Sequence, residues 1–490
     1  MDSNSNNKDD TLKKDDVKER FIEEVGKFDY IRLSFPDLNG IHLSKLLSTR
    51  FARKIANGES EVYSGAITGG PRGEVFDVPE IIKRKHVNSK LKPDFSTLHP
   101  CYWISNGKAQ HSHNNNTDND DNPRTRKYSI CAVLCYLAWP NNEPMKTHPR
   151  VAVKKLIDEL QTKYNLRLFS AFEPEFRAFQ KGTFETTCLK PTKTGETNMR
   201  SFKIPVPYTK FGDIYRTSLL SVYEDFFIDI DHNMKLANID IQDYSNEDGE
   251  GQLESPLVPS WGLSAADNYF ILKQAIKEIG EKHNMEISFM TKPLLNASSS
   301  GCHYNHSLWY ADTGRNAFYD NAEHLPAMLA ICSPTINCYR RLNKFFAPGA
   351  VNWDFRDRFV AIRVKNFDEK NTYIENRIPS SASCPYHVLA ATLAAGMDGL
   401  DRQLEPPPPG QKPSESKNGN HVKLLPSSFQ EALQNLKEDE IFTKKLGKDF
   451  FEWYTLVKEL GDLGSLGHLD IKDNQEETLA FERYEYLKFT

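Results

Sequence analysis

The sequence predicts an α+β protein: a small N-terminal β domain, then a larger domain that mixes helices and strands. Three stretches carry that reading. Residues 28–47, FDYIRLSFPDLNGIHLSKLL, run as strand, PDLNG turn and strand. Residues 148–161, HPRVAVKKLIDELQ, set Val153, Leu156, Ile157 and Leu160 on one helical stripe started by Pro149. Residues 170–179, SAFEPEFRAF, show the aromatic-rich alternation of a core strand.

Composition narrows the function classes. The chain has 490 residues, of which 39% are hydrophobic, enough for a sizeable core. Its net charge of −5 argues against nucleic acid as a partner. The eight cysteines form no CxxC pair and read as free thiols of a cytoplasmic protein. The longest near-apolar run, residues 129–139, is too short to span a membrane. Residues 1–24 are polar and mixed in charge, with no secretory h-region, and are expected to be a disordered leader.

The β domain should occupy residues 25–140, interrupted by a polar insertion at about 107–126. His111 and His113 in that insertion lack neighbouring ligands and read as loop residues rather than a metal site. The larger domain should occupy 146–490. After the SAFEPEF strand comes a polar excursion to about residue 212. A helix then starts at 264, with Ser264 as candidate cap and a stripe of Tyr269, Leu272, Ile276 and Ile279. Residues 385–400 are apolar on nearly every side, as in a buried helix, and PPPPG at 406–410 marks a surface loop.

The chemistry concentrates on carboxylates. Glu173 and Glu175 are two apart on a strand and so share one face. Like charges that close repel, and arginine, a shared proton or a metal ion could each offset them. NEDGEGQLES (246–255) brings Glu247 and Glu254 around a Gly-Gln turn. GCHYNHSLW (301–309) carries His303, and TYIENRIPS (372–380) puts Glu375 and Arg377 on one side. Hard divalent cations take carboxylate oxygens with an occasional imidazole, and such ions can clamp the phosphates of a nucleotide. Surface salt bridges are the ordinary explanation for any one of these residues. They do not account for five glutamates on segments that otherwise look buried.

These motifs, in this order, resemble the type I glutamine synthetase family over almost the whole chain past residue 25. The carriers are AFEPEF, GQLE, G-x-H before NHSL, YIENRIP, NCYRRL (337–342), AIRV (361–364) and VLAATLAAGMDGL. WGLSAADNYFILKQAIKEIG and HSLW are most similar to the lengsin-like branch. The resemblance implies an N-terminal β-grasp domain and a catalytic domain with a curved antiparallel sheet. It also implies stacked hexameric rings with sites between subunits, and ATP with two Mg²⁺ or Mn²⁺ ions per active site. By motif, one ion would be held by Glu175, Glu247 and Glu254, the other by Glu173, His303 and Glu375. Arg341, Arg356, Arg363 and Arg377 would position a glutamate-like acid and phosphates. Gly301 and Ser307 would face substrate and nucleotide.

The departures fall on the substrate side. Ser298 and Ser299 stand where the family has Asn-Gly, and Phe345 or Phe346 stands at its loop glutamate. Ser64 falls at or near its ammonium-binding aspartate. An ammonium site needs anionic partners. The expected activity is therefore ATP-dependent ligation of glutamate to ammonia or to another amine. The alternative is a catalytically silent, lengsin-like structural or chaperone-like oligomer.

Overall fold

The computed structural model of the chain describes residues 5–70, 73–105, 127–183, 204–210, 212–318, 348–403, 408–410, 424–426, 428–464, 475–488 and 490. Two sheets organise it. The N-terminal sheet contains β1 (Tyr30–Pro36), β2 (His42–Ser48), β3 (Ser60–Tyr63), β4 (Asn88–Pro93), β5 (His99–Pro100) and β6 (Ile130–Ala138). Its order is β2-β1-β6-β4-β3, with β1 parallel to β6 and β5 also paired to β6. The first two strands and their turn lie where the sequence places them. Asp37 closes that turn by accepting from the Asn39 and Ile41 amides.

Helix α1 spans Ser5–Val25, and its last turns bury Phe21 and Val25, with Phe21 stacked on Phe95 at 4.3 Å. The apolar residues Phe21, Ile22 and Val25 recur at helical spacing, and that stripe outweighs the charged composition around it. The N-terminal core is not self-contained either. Ile31, Leu33, Ile55 and Val133 pack in one cluster with Leu433, Trp453 and Val457 from C-terminal helices.

The second sheet is built around β7 (Leu166–Gln180), which is flanked by β12 (Cys302–Tyr310) and by β9 (Gln252–Glu254). β15 (Tyr373–Asn376) and β14 (Ile362–Lys365) continue it beyond β12, and β8 (Ser245–Asn246) continues it beyond β9. Neighbours along this path pair antiparallel from β14 to β8. Strand β11 (Met285–Ser288) pairs with the far end of β7. Helices α4 (Pro149–Tyr164), α6 (Ser264–Lys282) and the Pro385–Arg402 helix contribute to the large core cluster with Phe172, Phe176 and Tyr304.

Ser264 is not the cap of α6. Leu263 holds that position, without a side-chain cap bond. A helix the sequence reading passed over, Thr217–Leu236, buries Tyr223, Phe226, Phe227, Ile230 and Met234 just after the polar excursion. Buried Arg150 ties the elements together, bonding Asp267 of α6 and Asp94 of the N-terminal domain at 2.7 Å each, while Tyr386 donates to Asp267. Cys101, Cys131, Cys135, Cys302 and Cys384 are buried free thiols. Among the described residues no helix is long and apolar enough to cross a membrane. The polar insertion, Arg341, Phe345 and Phe346 lie outside the described residues.

Candidate active site

Register places the acidic residues. On β7 the alternation puts Glu173 and Glu175 on one face between buried Phe172 and Phe176. Glu173 lies opposite His303 of β12, and Glu375 of β15 lies opposite Asn305 of β12 and Arg363 of β14. Ligand atoms of Glu173, His303 and Glu375 all lie within 4.8 Å of one another. His303 Nδ1 is 3.4 Å from both carboxylates, and Asn305 Nδ2 donates to Glu173 at 2.6 Å.

Glu375 is buried and heavily compensated. Arg377 reaches it at 2.6 Å, Arg363 at 3.0 Å and Lys365 at 3.2 Å. Burial works to raise its pKa, but the charges of His303, Lys365, Arg377 and Arg363 outweigh that and hold it at about 2. Burial likewise opposes ionisation of Glu173, and His303 beside it pulls its pKa below the usual value.

Toward β9, on the same face of β7, the balance reverses. Glu175 faces Glu254 across the β7–β9 ladder. Its carboxylate accepts from Gln252 Nε2 at 2.6 Å and from the Gly301 amide at 2.9 Å. Burial, followed by the charge of Glu175, pushes both Glu247 and Glu254 upward. Glu254 also feels Glu247 and Glu173. Carboxylates with an excess of negative charge are the ligand chemistry of a hard divalent cation, but among the described residues only Glu173, His303 and Glu375 have their ligand atoms drawn together.

The remaining sequence candidates divide. Gly301 clasps Glu175 through both its amide and its carbonyl. Ser307 is buried and accepts from Trp309 Nε1 at 2.8 Å, beside a cluster of Phe169, Trp261 and Trp309. Arg363 and Arg377 flank Glu375. Arg356 is not brought into the site. Its backbone is left-handed at φ 60°, and its guanidinium donates to Asn366 O and stacks on Phe367.

Arg358, which the sequence did not single out, acts by its charge on Tyr215, as do Glu247 and Glu254. Sequence reasoning missed Lys365 too, although Lys365 is two residues after Arg363 on the same strand. Arg177 follows Glu175 by the same step. Fully buried, it donates to Glu250 O, Gln252 Oε1 and Ser298 O, tying the loop that carries Glu247 and Glu254 to the segment before Gly301.

Two substrate-side departures have structural explanations. Ser298 Oγ donates to Gln252 Oε1 at 2.7 Å, within that same network. Ser64 Oγ is buried, bonded to Val87 O and Ser89 Oγ, and presents nothing anionic.

Known proteins resemble this chain along most of its length. Residues 146–463 match the family described as glutamine synthetase, catalytic domain. A glutamine synthetase of Methanocaldococcus jannaschii is 26% identical over 470 residues, covering 90% of this chain and 93% of that protein. One from Thermus thermophilus is 25% identical over 454 residues, covering 88% and 91%. Solved structures described as a GmaS/ADP complex and as a novel glutamine synthase homolog superpose with TM-scores of 0.71 and 0.73. Their identities are 21% and 18%; they cover 92% and 94% of this chain, and 97% and 99% of their own chains are covered, so they bear on the fold alone. A match across most of the chain, with the acidic strands of the site inside it, means that the chain belongs to the glutamine synthetase family.

Proposed function

We propose that the protein is an ATP-dependent carboxylate–amine ligase that joins glutamate, or a glutamate-like acid, to an amine through a γ-glutamyl phosphate. The observation that carries this reading is the pair of acidic groups built on one face of β7, one with excess negative charge and one ringed by cations. Glu175, Glu247 and Glu254 would hold one Mg²⁺ or Mn²⁺ ion, and Glu173, His303 and Glu375 the other. Bound there, the ions would supply charge neutralisation for phosphoryl transfer.

The chain's own groups do the rest. Arg363 and Arg377 orient the oxyanions of acid and phosphate, and Arg341 joins them by motif. Gly301 fixes Glu175, while Ser307 and its aromatic neighbours border the nucleotide. A carboxylate oxygen of the acid bonds to the γ-phosphorus of ATP, and ADP leaves. The amine nitrogen then bonds to the acyl carbon, phosphate departs, and the amine gives up its proton to a base. Ser64, bonded inward, offers no charge to ammonium, which supports a rearranged ammonium site or a larger amine against Phe345 or Phe346. The proposal includes stacked hexameric rings, and the buried free thiols support a cytoplasmic setting.

One observation favours a second reading. Because Arg363, Lys365 and Arg377 already engage both oxygens of Glu375, that half of the site is balanced without an ion, as a silent, lengsin-like oligomer would require. The deciding experiment follows ADP release and product mass with ATP, Mg²⁺ or Mn²⁺, glutamate, and amines from ammonium to longer alkyl amines, with Glu375→Ala as blank. Turnover abolished in the variant supports the ligase. No turnover with any amine, in folded protein, overturns it in favour of the silent oligomer.

A further inference from the structure

Alternation along β12 sets His303, Asn305 and Ser307 on one face, with buried Tyr304 and His306 on the other. Asn305 thus stands between His303 of the acidic site and Ser307 of the aromatic cluster. Its register partners are Ala171 of β7 and Glu375 of β15.

The two ends of the Asn305 amide are differently placed. Nδ2 donates to Glu173 Oε1 at 2.6 Å, while His303 Nδ1 lies 3.4 Å from Glu173 Oε2. A carboxylate only accepts, so this bond fixes which end of the amide is nitrogen. The other end, Oδ1, is a buried acceptor with no hydrogen-bond partner among the described residues. A buried carbonyl oxygen left without a donor is costly, and few in native proteins stay so. Its missing partner has to bring a hydrogen or a positive charge. The phosphate groups of a nucleotide bring neither, because their oxygens are acceptors as well. Water held by a cation does bring a hydrogen.

The neighbours of Asn305 supply the ligands for such a cation. Ligand atoms of Glu173, His303 and Glu375 lie within 4.8 Å of one another, and two carboxylates with an imidazole suit Mg²⁺ or Mn²⁺. Three protein ligands leave an octahedral ion with water in its other positions. Arg363, Lys365 and Arg377 gather on Glu375, whereas Asn305 holds Glu173.

We propose that Asn305 is a positioning residue of this ion site and works through both ends of its amide. Nδ2 keeps the Glu173 carboxylate turned toward His303, and Oδ1 accepts from a water on the bound ion. The inference rests on the reading of Glu173, His303 and Glu375 as ligands of one ion, and it adds a fourth residue to that set.

The test is Mn²⁺ binding to the full chain without nucleotide, followed by the electron paramagnetic resonance of free Mn²⁺. Glu375→Gln marks the site, since the binding it weakens belongs to the set that includes Glu375. Asn305→Leu keeps the bulk of the side chain and removes both polar ends. It should weaken that same binding by about 10- to 100-fold, the usual cost of removing an outer partner of a ligand. Asn305→Ala should do so too if the first variant folds poorly. Binding that survives Glu375→Gln should keep its wild-type affinity in both. Mn²⁺ binding unchanged in both Asn305 variants overturns the proposal alone, whether or not Tm falls, and leaves the ion reading standing. Equal weakening of the binding that survives Glu375→Gln overturns it as well, as a general loosening of the fold. Wild-type protein with no binding sensitive to Glu375→Gln overturns the ion reading, and the proposal with it. Weaker ATP binding in the Asn305 variants, with Mn²⁺ affinity unchanged, also overturns it and gives Oδ1 to a hydroxyl of the nucleotide.

Discussion

Glu175 and Glu254 lie directly opposite each other in the β7–β9 ladder, carboxylate against carboxylate, on strands that are otherwise buried. Like charges at that position destabilise a sheet by up to about 1 kcal/mol, and burial adds to the cost. In EDTA, Glu254→Gln should therefore raise Tm by about 2–4 °C, the shift expected of roughly 1 kcal/mol in a large domain. Saturating Mg²⁺ or Mn²⁺ should stabilise the wild type by about 2.7 kcal/mol at a hundredfold excess over Kd, and the variant much less. The sign with pH follows from the raised carboxyls. Their contribution is present below the ordinary carboxylate range and is lost as pH rises through their elevated pKa values. The metal-free protein should lose stability across that rise, and the metal-loaded protein should not. Calorimetry at several pH values checks both, and a Glu254→Gln protein less stable than wild type in EDTA contradicts the repulsion.

Glu375 has the opposite sign. Its pKa is about 2 in the fold against an ordinary 4.5, so its stabilisation is complete above about 4.5 and is lost as pH falls toward 2. The amount is on the order of 3 kcal/mol, by the ~1.4 kcal/mol that one pKa unit represents. Glu375→Gln should be less stable than wild type near pH 7, and the difference should shrink in acid. Urea denaturation at pH 7 and pH 3 reads it. An equal difference at both would mean that the lost contacts are not charge-dependent.

Much of this was legible in the sequence. Period-2 alternation put Glu173 beside Glu175, and the aromatic residues Tyr304 and Trp309 near His303 and Tyr373 near Glu375 suit extended, strand-like stretches. What alternation cannot give is register between strands far apart in the chain. Only the ladder shows that Arg363 and Lys365, rather than Arg356, surround Glu375. The helix Thr217–Leu236 was hidden for a related reason: it begins without a side-chain cap, directly behind a polar stretch, and its stripe interleaves acidic residues with Phe226 and Ile230.

Arg356 and Arg358 make a matched pair for kinetics. Both are exposed, but Arg356 stacks on Phe367 while Arg358 shares its electrostatic surroundings with Glu247 and Glu254. If ligase activity is found, Arg358→Ala should lower kcat/KM by about 10²-fold, the usual cost of removing one donor to developing charge. Arg356→Ala should change it by less than about threefold. The reverse order would restore Arg356 to the site and require its loop to turn inward in the complex.

The helix at the N-terminus yields the last prediction. Phe21 is 3% exposed, its ring lies 4.3 Å from that of Phe95, and it shares a core cluster with Ile31, Leu33 and Trp453. Truncating a buried phenylalanine removes its transfer free energy and leaves a cavity, together about 3–5 kcal/mol. Phe21→Ala should therefore lower the urea midpoint markedly, and removal of residues 1–25 should do so more. A dangling leader would make both changes silent. The position of Trp453 adds a local readout. Because Phe21 and this tryptophan belong to one cluster while α1 and Trp453 come from opposite ends of the chain, Phe21→Ala should shift tryptophan fluorescence toward solvent-exposed emission before global unfolding. Such a shift would place the first opening where the N-terminal sheet meets the C-terminal helices, since the two share one core and neither end can loosen without exposing the other.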